Sequence, residues 1–160
     1  MEQVTVTLPD GSHRNVPTGA VVLDIANTIS PRLAKSALAA VVNDELVDLS
    51  YPVETNISLR LVTKDSEEAL ELCRHSTAHL LAAAVTALFP GTQCGIGPAT
   101  DDGFFYDFVV DRPFVTEDLQ AIEKKMRELA SQDLRYERKM LSKEDAKSFF
   151  AERGEPLKVQ

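Results

Sequence analysis

The feature that most constrains the fold is one long helical segment in the middle of the chain. It runs from Asp65 to about Leu88, between two stretches of short β-like segments. Asp65 is a favourable N-cap, and Glu68 stands three residues later, a spacing that resembles a capping box. Phe89-Pro90-Gly91 ends the segment. The sequence therefore predicts an α+β protein in which a compact unit, residues 1–63, precedes a second unit, residues 64–160, built around this helix.

The first unit has the order of a β-grasp, ubiquitin-like module. Strands are predicted from alternating and β-branched residues, and Pro9-Asp10-Gly11-Ser12 has the residue types of a tight turn. A helix is predicted from Val21 to Thr28, with Pro31 ending it. The predicted strands are Val4–Leu8, His13–Val16, Leu38–Val42, Leu46–Asp48 and Ile57–Val62.

The second unit is predicted to continue with a hairpin and further helices. Two strands, Thr92–Ala99 and the aromatic run Phe104–Val110, flank the turn Asp101-Asp102-Gly103. Thr116 is predicted to cap a helix. The remaining predictions are a strand from Leu134 to Met140, a short helix opened by Ser142 and closed by Gly154, and a strand from about Leu157, cut off at Gln160. A truncated strand predicts a fragment of a longer protein.

Composition and charge limit the class of protein. A hydrophobic content of 44% and a charged content of 26% are those of a soluble globular chain. No apolar run reaches the roughly 20 residues of a membrane span, and no secretory signal follows Met1, so we expect a cytoplasmic protein without a membrane partner. The net charge is −8, with −3 on residues 1–63 and −5 on the remainder. Neither part is a basic nucleic-acid platform, so any RNA contact would be local or supplied by other parts of a larger protein.

Two histidines on the long helix are the first candidates for chemistry. His75 and His79 lie four residues apart and therefore leave the same face of the helix. Such a pair serves as metal ligands, as a general base in a pocket, or as two hydrogen-bonded structural residues. Ser76 stands where a metalloprotease helix has glutamate. The cysteines, Cys73 and Cys94, make no disulfide framework, and Cys94 is an optional third metal ligand.

Three further positions are candidates with ordinary structural alternatives. Gly95 and Gly97 lack the spacing of a phosphate loop, but glycines in a strand allow either a bulge or the close approach of a ligand. Tyr106 is either core or a pocket residue whose hydroxyl needs a partner. Lys158, on composition alone, is a solvated lysine.

Taken together, these segments resemble the N-terminal region of bacterial threonyl-tRNA synthetase. The similarity rests on the order His75–Leu81, Gly95–Pro98, Asp102–Asp107 and Arg153–Val159. Residues 1–63 resemble its TGS domain, with Leu8–Gly11 and Val42–Asp48 as the matching segments. The similarity covers essentially the whole chain. It implies a β-grasp TGS domain followed by an α+β editing domain with a long central helix, incomplete at its C-terminal end.

The resemblance implies a proofreading role, the hydrolysis of serine wrongly attached to threonine tRNA. By position, His75 would be the general base or would hold the water, and Lys158 would bind substrate or stabilise negative charge. His79, Tyr106, Gly95 and Gly97 would form the substrate pocket, without a metal. The partner would be the acceptor end of tRNA(Thr) carrying serine.

The chain departs from the family pattern at its end. The family's editing site also uses an Asp-x-Cys-x-Gly-Pro-His-type segment, expected shortly after residue 160. The core that uses ATP, magnesium and zinc is absent too, so we expect no cofactor in this chain, no aminoacylation by it, and a monomer where the full-length enzyme is a homodimer. Two alternatives remain: a stand-alone TGS-containing interaction or regulatory module, and a small hydrolase using His75, His79 and a later ligand to hold a metal.

Overall fold

The computed structural model of the chain describes residues 2–134 and 139–159. The chain forms two compact units, Met1–Leu70 and Glu71–Gln160. The expected boundary between residues 63 and 64 stays a prediction. Among the described residues no helix is long and apolar enough to cross a lipid bilayer.

The first unit is a β-grasp-like arrangement of a mixed sheet and two short helices. Its five-stranded sheet has the order β2-β1-β7-β4-β5, in which β1 and β7 are parallel and the other neighbours antiparallel. A separate pair joins β3 to β6. The elements are β1 Gln3–Thr7, β2 His13–Pro17, β3 Ala20–Val21, α1 Val22–Ile29, α2 Pro31–Ser36, β4 Ala37–Val42, β5 Glu45–Val47, β6 Pro52–Val53 and β7 Ile57–Thr63.

The core of this unit lies between the sheet and α1. The helix buries Val22, Ile25 and Ala26, as its spacing predicts. Val22 and Ile25 join buried side chains of the strands: Val4, Val6, Val16, Ala40, Val42, Val53, Ile57 and Leu59. This packing fixes the register of β1 and β7, because a slip of one residue would turn their apolar side chains outward.

The turns of the first unit follow their residue types. Gly11 has a φ of 79°, and the Asp10 carboxylate accepts a 2.9 Å hydrogen bond from the Ser12 N–H. One prediction was incomplete, because Pro31 ends α1 but also begins α2. The Ser30 side chain accepts a hydrogen bond from the Leu33 N–H, and proline at the first helical position needs no N–H partner.

The second unit consists of helices and very short strands. The helix α3, Ala69–Leu88, begins at the end of the first unit and supplies most of its length to the second. The strands pair as β8 with β11 and β9 with β10, both antiparallel, which confirms the predicted hairpin. The elements after α3 are β8 Gln93–Cys94, β9 Ala99–Thr100, β10 Gly103–Phe104, β11 Phe108–Val109, α4 Thr116–Ser131, α5 Lys143–Glu152 and a 3₁₀ helix Pro156–Lys158.

Three predicted boundaries in the second unit were wrong. The long helix begins at Ala69, not Asp65, because the chain first makes a turn in which the Ser66 hydroxyl accepts the Thr63 N–H. The helix α4 is entered through Val115, whose N–H donates to the Asp118 carboxylate, so Thr116 is its first residue and not its cap. Each hairpin arm was predicted as one strand, but residues 95–98 and 105–107 leave the regular strand geometry, and Gly95 and Ile96 both bond to Asp107.

The end of the chain also differs from its prediction. Residues 156–158 form a 3₁₀ helix where a strand was expected, because Pro156 fixes a helical φ at the first position. The helix α5 is as predicted, since the Ser142 hydroxyl accepts the Asp145 N–H at 3.1 Å. The strand predicted from Leu134 to Met140 falls mainly on residues 135–138, outside the described residues.

Candidate functional site

The two histidines of α3 contact each other directly. Their Nε2 atoms are 3.1 Å apart, and the rings meet edge to face with centroids 4.6 Å apart. Both residues are exposed, while Ala78 between them is buried. The four-residue spacing produces this contact, because it stacks the side chains one helical turn apart. The pair is therefore presented on one side of the helix.

A side chain of α3 ties the helix to the hairpin. Arg74, one residue before the histidine pair begins, donates a 3.1 Å hydrogen bond from its guanidinium to the Thr100 carbonyl in β9. Since β9 pairs with β10, this bond orients the hairpin relative to the histidine-bearing turn. The helix α3 and the hairpin, which both carry candidate residues, are thus joined by a hydrogen bond between two residues that are not candidates.

Gly95 and Gly97 allow a close approach of the chain to itself. Gly95 donates from its N–H to the Asp107 carbonyl at 2.8 Å, and Asp107 returns a bond to the Ile96 carbonyl at 2.9 Å. The Tyr106 ring lies directly over Gly97, where a Cβ would be 2.1 Å from its Cδ2 atom. The same ring stacks on Phe108, with centroids 4.9 Å apart. Both glycines therefore make room for the 106–107 segment.

Lys158 is held in a defined position by its own turn. Its ammonium is 2.7 Å from the Glu155 carboxylate and 5.4 Å from the centre of the Phe150 ring. Only 35% of the Lys158 side chain is exposed, which is far from the freely solvated lysine that composition suggests. A pair of this kind can keep a positive charge at a fixed place in a site.

The charge of Lys158 acts on residues of other elements. Although His79 is exposed overall, partial desolvation of its ring lowers its pKa, and the neighbouring His75 and the Lys158 ammonium lower it further. Since the ordinary pKa of histidine is about 6.5, His79 is neutral at pH 7. The lysine is therefore close enough to the histidine pair to favour an uncharged imidazole there.

Cys94 and Tyr106 share this electrostatic neighbourhood. Burial raises the pKa of the Cys94 thiol, against the opposing effect of Lys158. Burial also raises the pKa of Tyr106, and Lys158 again opposes it. Both groups keep their protons at pH 7, so Cys94 is a thiol and not a reactive thiolate.

The structure brings together most of the candidate residues. His79, Tyr106 and Lys158 interact electrostatically, His75 contacts His79, and Gly97 contacts Tyr106. Glu155 was missed by sequence reasoning, although a carboxylate three residues before the candidate lysine was a usable signal. Within residues 2–134 and 139–159, no three His, Cys, Asp or Glu side chains are arranged to hold a metal ion.

A groove of about 470 Å³ lies elsewhere in the second unit. Its lining residues are Lys139, Met140, Leu141, Ala146, Phe149 and Phe150. None of them is a candidate residue, although Phe150 also faces the Lys158 ammonium. The groove is apolar, whereas the candidate site is a surface formed by titratable groups on α3, the hairpin and the C-terminal turn.

The amino-acid sequence is similar to those of known proteins. The TGS domain model matches residues 4–63. The chain is 51% identical over 160 residues, its whole length, to the threonine–tRNA ligase of Citrifermentans bemidjiense, and covers 25% of that protein. Over its whole length, the chain is similar in sequence to the N-terminal quarter of bacterial threonine–tRNA ligases.

Other relatives carry the same name. The threonine–tRNA ligase of Rhodopseudomonas palustris is 47% identical over 160 residues, and that of Nitrosomonas europaea is 50% identical over 155 residues. The chain covers 24% of each. It therefore spans about a quarter of the length of the curated relatives that it matches, and it includes the TGS domain at its start.

Proposed function

We propose that this chain is the proofreading part of a threonine–tRNA ligase and hydrolyses the ester of serine wrongly joined to tRNA(Thr). The observation that carries the proposal is the Lys158 ammonium held near a neutral His79 that itself contacts His75. A base beside a fixed positive charge is what ester hydrolysis by water requires.

The need for such a site follows from the small difference between the two amino acids. Serine lacks only the methyl group of threonine, and one methyl group distinguishes two substrates by about 1–3 kcal/mol. A single selection step therefore leaves errors. A second site that admits serine and excludes threonine by the bulk of that methyl group would remove them.

His75 is the proposed base. Two N–H groups cannot bond to each other, so one of the paired Nε2 atoms carries a lone pair. With the shared proton on the His75 Nε2 atom and donated to His79, the Nδ1 lone pair of His75 accepts a proton from water while the water oxygen attacks the seryl carbonyl. The Lys158 ammonium stabilises the negative charge that develops on the carbonyl oxygen. The ester C–O bond then breaks, and the leaving ribose oxygen takes the proton from His75.

The hairpin would form the side of the pocket that holds the amino acid. The Tyr106 hydroxyl stays protonated and can donate to substrate, because burial raises its pKa. Gly97 leaves no room for even a methyl group beneath the Tyr106 ring, so the position of this ring is fixed from below. In this proposal the fixed ring rejects the extra methyl group of threonine by steric clash.

The rest of the reaction scheme belongs to the longer protein. Charging of tRNA(Thr) with threonine, with ATP, magnesium and zinc as cofactors, would be carried out by segments beyond this chain. The same holds for a homodimer, with this part alone a monomer. The partner of the chain would be the seryl-tRNA acceptor end, in the cytoplasm.

The test is deacylation of serine-charged tRNA(Thr) by the full-length protein and by this chain. His75→Ala should lower the rate about 100-fold or more, since removing a general base costs roughly that much. His13→Ala is the matched control, because His13 is the remaining histidine and lies on β2, where it bonds the Thr7 hydroxyl. Threonine-charged tRNA(Thr) should be spared.

The deacylation rates of His75→Ala and His13→Ala together test the proposed function. A His75→Ala full-length protein that deacylates as fast as the wild type would show that the proposed function is wrong. Loss of activity in His13→Ala to the same extent would also contradict it, because the effect would then not depend on the pair.

A further inference from the structure

The turn after α5 places Glu155 and Lys158 side by side. Gly154 adopts a φ of 68° and donates to the Ala151 carbonyl, and the Glu155 N–H donates to the Phe150 carbonyl at 3.0 Å. These bonds end the helix and reverse the chain. The 3₁₀ helix follows, with the Lys158 N–H bonded to the Glu155 carbonyl at 3.0 Å. The backbone thus presents both side chains on one side of the turn.

The ion pair within this turn is more enclosed than an ordinary surface pair. The side chains of Lys158 and Glu155 are 35% and 32% exposed, whereas those of Arg127 and Glu123 on α4 are 78% and 66% exposed. The Glu155 Oε2 atom, which faces the ammonium at 2.7 Å, is buried. Because this carboxylate oxygen is buried beside the ammonium, separating the two would be costly.

Phe150 restricts the lysine from a second direction. The ammonium lies 5.4 Å from the centre of its ring, within the range of a cation–π contact. Because Phe150 belongs to α5 and its carbonyl also accepts the Glu155 N–H, one residue braces both members of the pair. Carboxylate and ring together leave the long lysine side chain few alternative directions.

The 3₁₀ helix that carries Lys158 lies against β8, which carries Cys94. The Lys158 charge influences the pKa values of His79 on α3, Cys94 on β8 and Tyr106 between β10 and β11. Burial by itself would lower the pKa of Lys158, but the ion pair with the Glu155 carboxylate holds this pKa above its ordinary value. The titratable groups that interact electrostatically with the ammonium are therefore Glu155, in direct contact, and Tyr106, Cys94 and His79.

We propose that Glu155 is a positioning residue, whose carboxylate, with the Phe150 ring, holds the Lys158 ammonium towards the histidine pair and Tyr106. This inference rests on the proposed function for its catalytic meaning. Glu155 touches no reacting atom. It keeps the charge of Lys158 at the place where negative charge would develop on the substrate carbonyl.

The test compares Glu155→Gln with Glu152→Gln, which removes an exposed carboxylate of α5 three residues earlier. The first readout is the titration of the Lys158 ammonium in the chain, followed by NMR of ¹³Cε-labelled lysine and assigned with Lys158→Arg. Glu155→Gln should move the titration midpoint to lower pH, because burial remains and the carboxylate is gone. Glu152→Gln should leave it in place.

The second readout is seryl-tRNA(Thr) deacylation by the full-length protein. Glu155→Gln should lower kcat about 10- to 100-fold with KM changed less than about twofold, since a displaced charge mainly affects the transition state. Glu155→Asp should recover part of the loss. Folding of each variant is checked by its amide NMR spectrum. If Glu155→Gln does not fold, both readouts are taken on Glu155→Asp instead.

The two readouts separate the two claims. An unchanged Lys158 midpoint in Glu155→Gln, or an equal fall of kcat in Glu152→Gln, would overturn the positioning role. If the wild-type protein does not deacylate seryl-tRNA while the midpoint moves as expected, the proposed function fails and Glu155 still positions the ammonium.

Discussion

The two units of this chain use their apolar residues in different ways. The first unit buries a continuous core between a five-stranded sheet and α1, whereas the described core of the second consists of Ala84, Val85 and Ile122 with half-buried neighbours around them. Most of the large apolar side chains that the structure describes as exposed also lie in the second unit, among them Ile96, Phe105 and Met140. The first unit therefore buries most of its apolar side chains, whereas the second unit leaves many of them exposed to solvent.

This difference matters because the candidate chemistry lies wholly in the less buried unit. Its strands are only two residues long, and its arms are bent around Gly95 and Gly97 to present Tyr106. Short pairing and thin packing give a lower local stability. A site near the surface leaves fewer side chains to bury, so we expect the second unit to be less stable than the first.

The largest expected effect is the loss of stability when one buried isoleucine in each core is truncated to alanine. Ile25→Ala should destabilise the first unit by about 3–5 kcal/mol, because the side chain is 1% exposed in a rigid setting. Ile122→Ala, at 5% exposure, should cost about 2 kcal/mol, since its half-buried neighbours can move into the space.

Amide hydrogen exchange measures these effects unit by unit, in β1 and β7 for Ile25→Ala and in α4 for Ile122→Ala. Equal losses of exchange protection in the two variants would mean that the two cores contribute equally to stability, which would contradict the difference inferred between the units. A loss that spreads through both units in either variant would mean that they unfold as one.

A second prediction concerns the close approach in the hairpin. Gly97→Ala places a methyl group 2.1 Å from the Tyr106 ring and should cost about 1–3 kcal/mol as the ring is displaced. Gly103→Ala is the control, because Gly103 is in the same hairpin, has no positive φ and has nothing within 4 Å of the added atom.

Thermal unfolding and the Tyr106 ring signals in NMR provide the measurement. The ring of Tyr106 should lose its stacking on Phe108 in Gly97→Ala only. A Gly97→Ala protein with unchanged stability and ring signals would show that the hairpin adjusts freely, and that Tyr106 is not a fixed wall.

The sequence predicted the first unit more completely than the second for the same physical reason. Alternating residues and turn residues determine long strands, and the β-grasp order followed from them. The second unit depends on contacts that no spacing reveals: the strand from Leu157 is a 3₁₀ helix because Pro156 and Gly154 reverse the chain.

The candidate site also contains a part that the sequence could predict and a part that it could not. His75 and His79 could be predicted to share a face, because helical spacing is local. Their relation to Lys158 could be stated only through the family resemblance, since it depends on how three elements pack. Glu155 had no assigned role, because its contact with Lys158 exists only once the 3₁₀ turn is formed.

The smallest predicted effect compares one surface ion pair in each unit. Arg112 holds the pKa of Asp118 well below its ordinary value, at about 2, and the same carboxylate accepts the Val115 N–H at 2.9 Å. In the first unit Arg60 also lowers the pKa of Glu68, and the backbone N–H that bonds this carboxylate is that of Glu68 itself. Asp118→Asn should therefore lower the thermal midpoint of its unit by more than Glu68→Gln lowers that of the first.

The pH dependence gives this prediction its sign. A carboxylate whose pKa is lowered by folding stabilises the protein above its unfolded pKa, near 3.8 for Asp118, and loses that contribution as pH falls towards 2. Asp118→Asn should thus differ from wild type at pH 6 and converge with it as pH falls from 4 to 2, measured by exchange in α4. A difference that persists unchanged at pH 2 would mean that the side chain acts through packing and not through its charge.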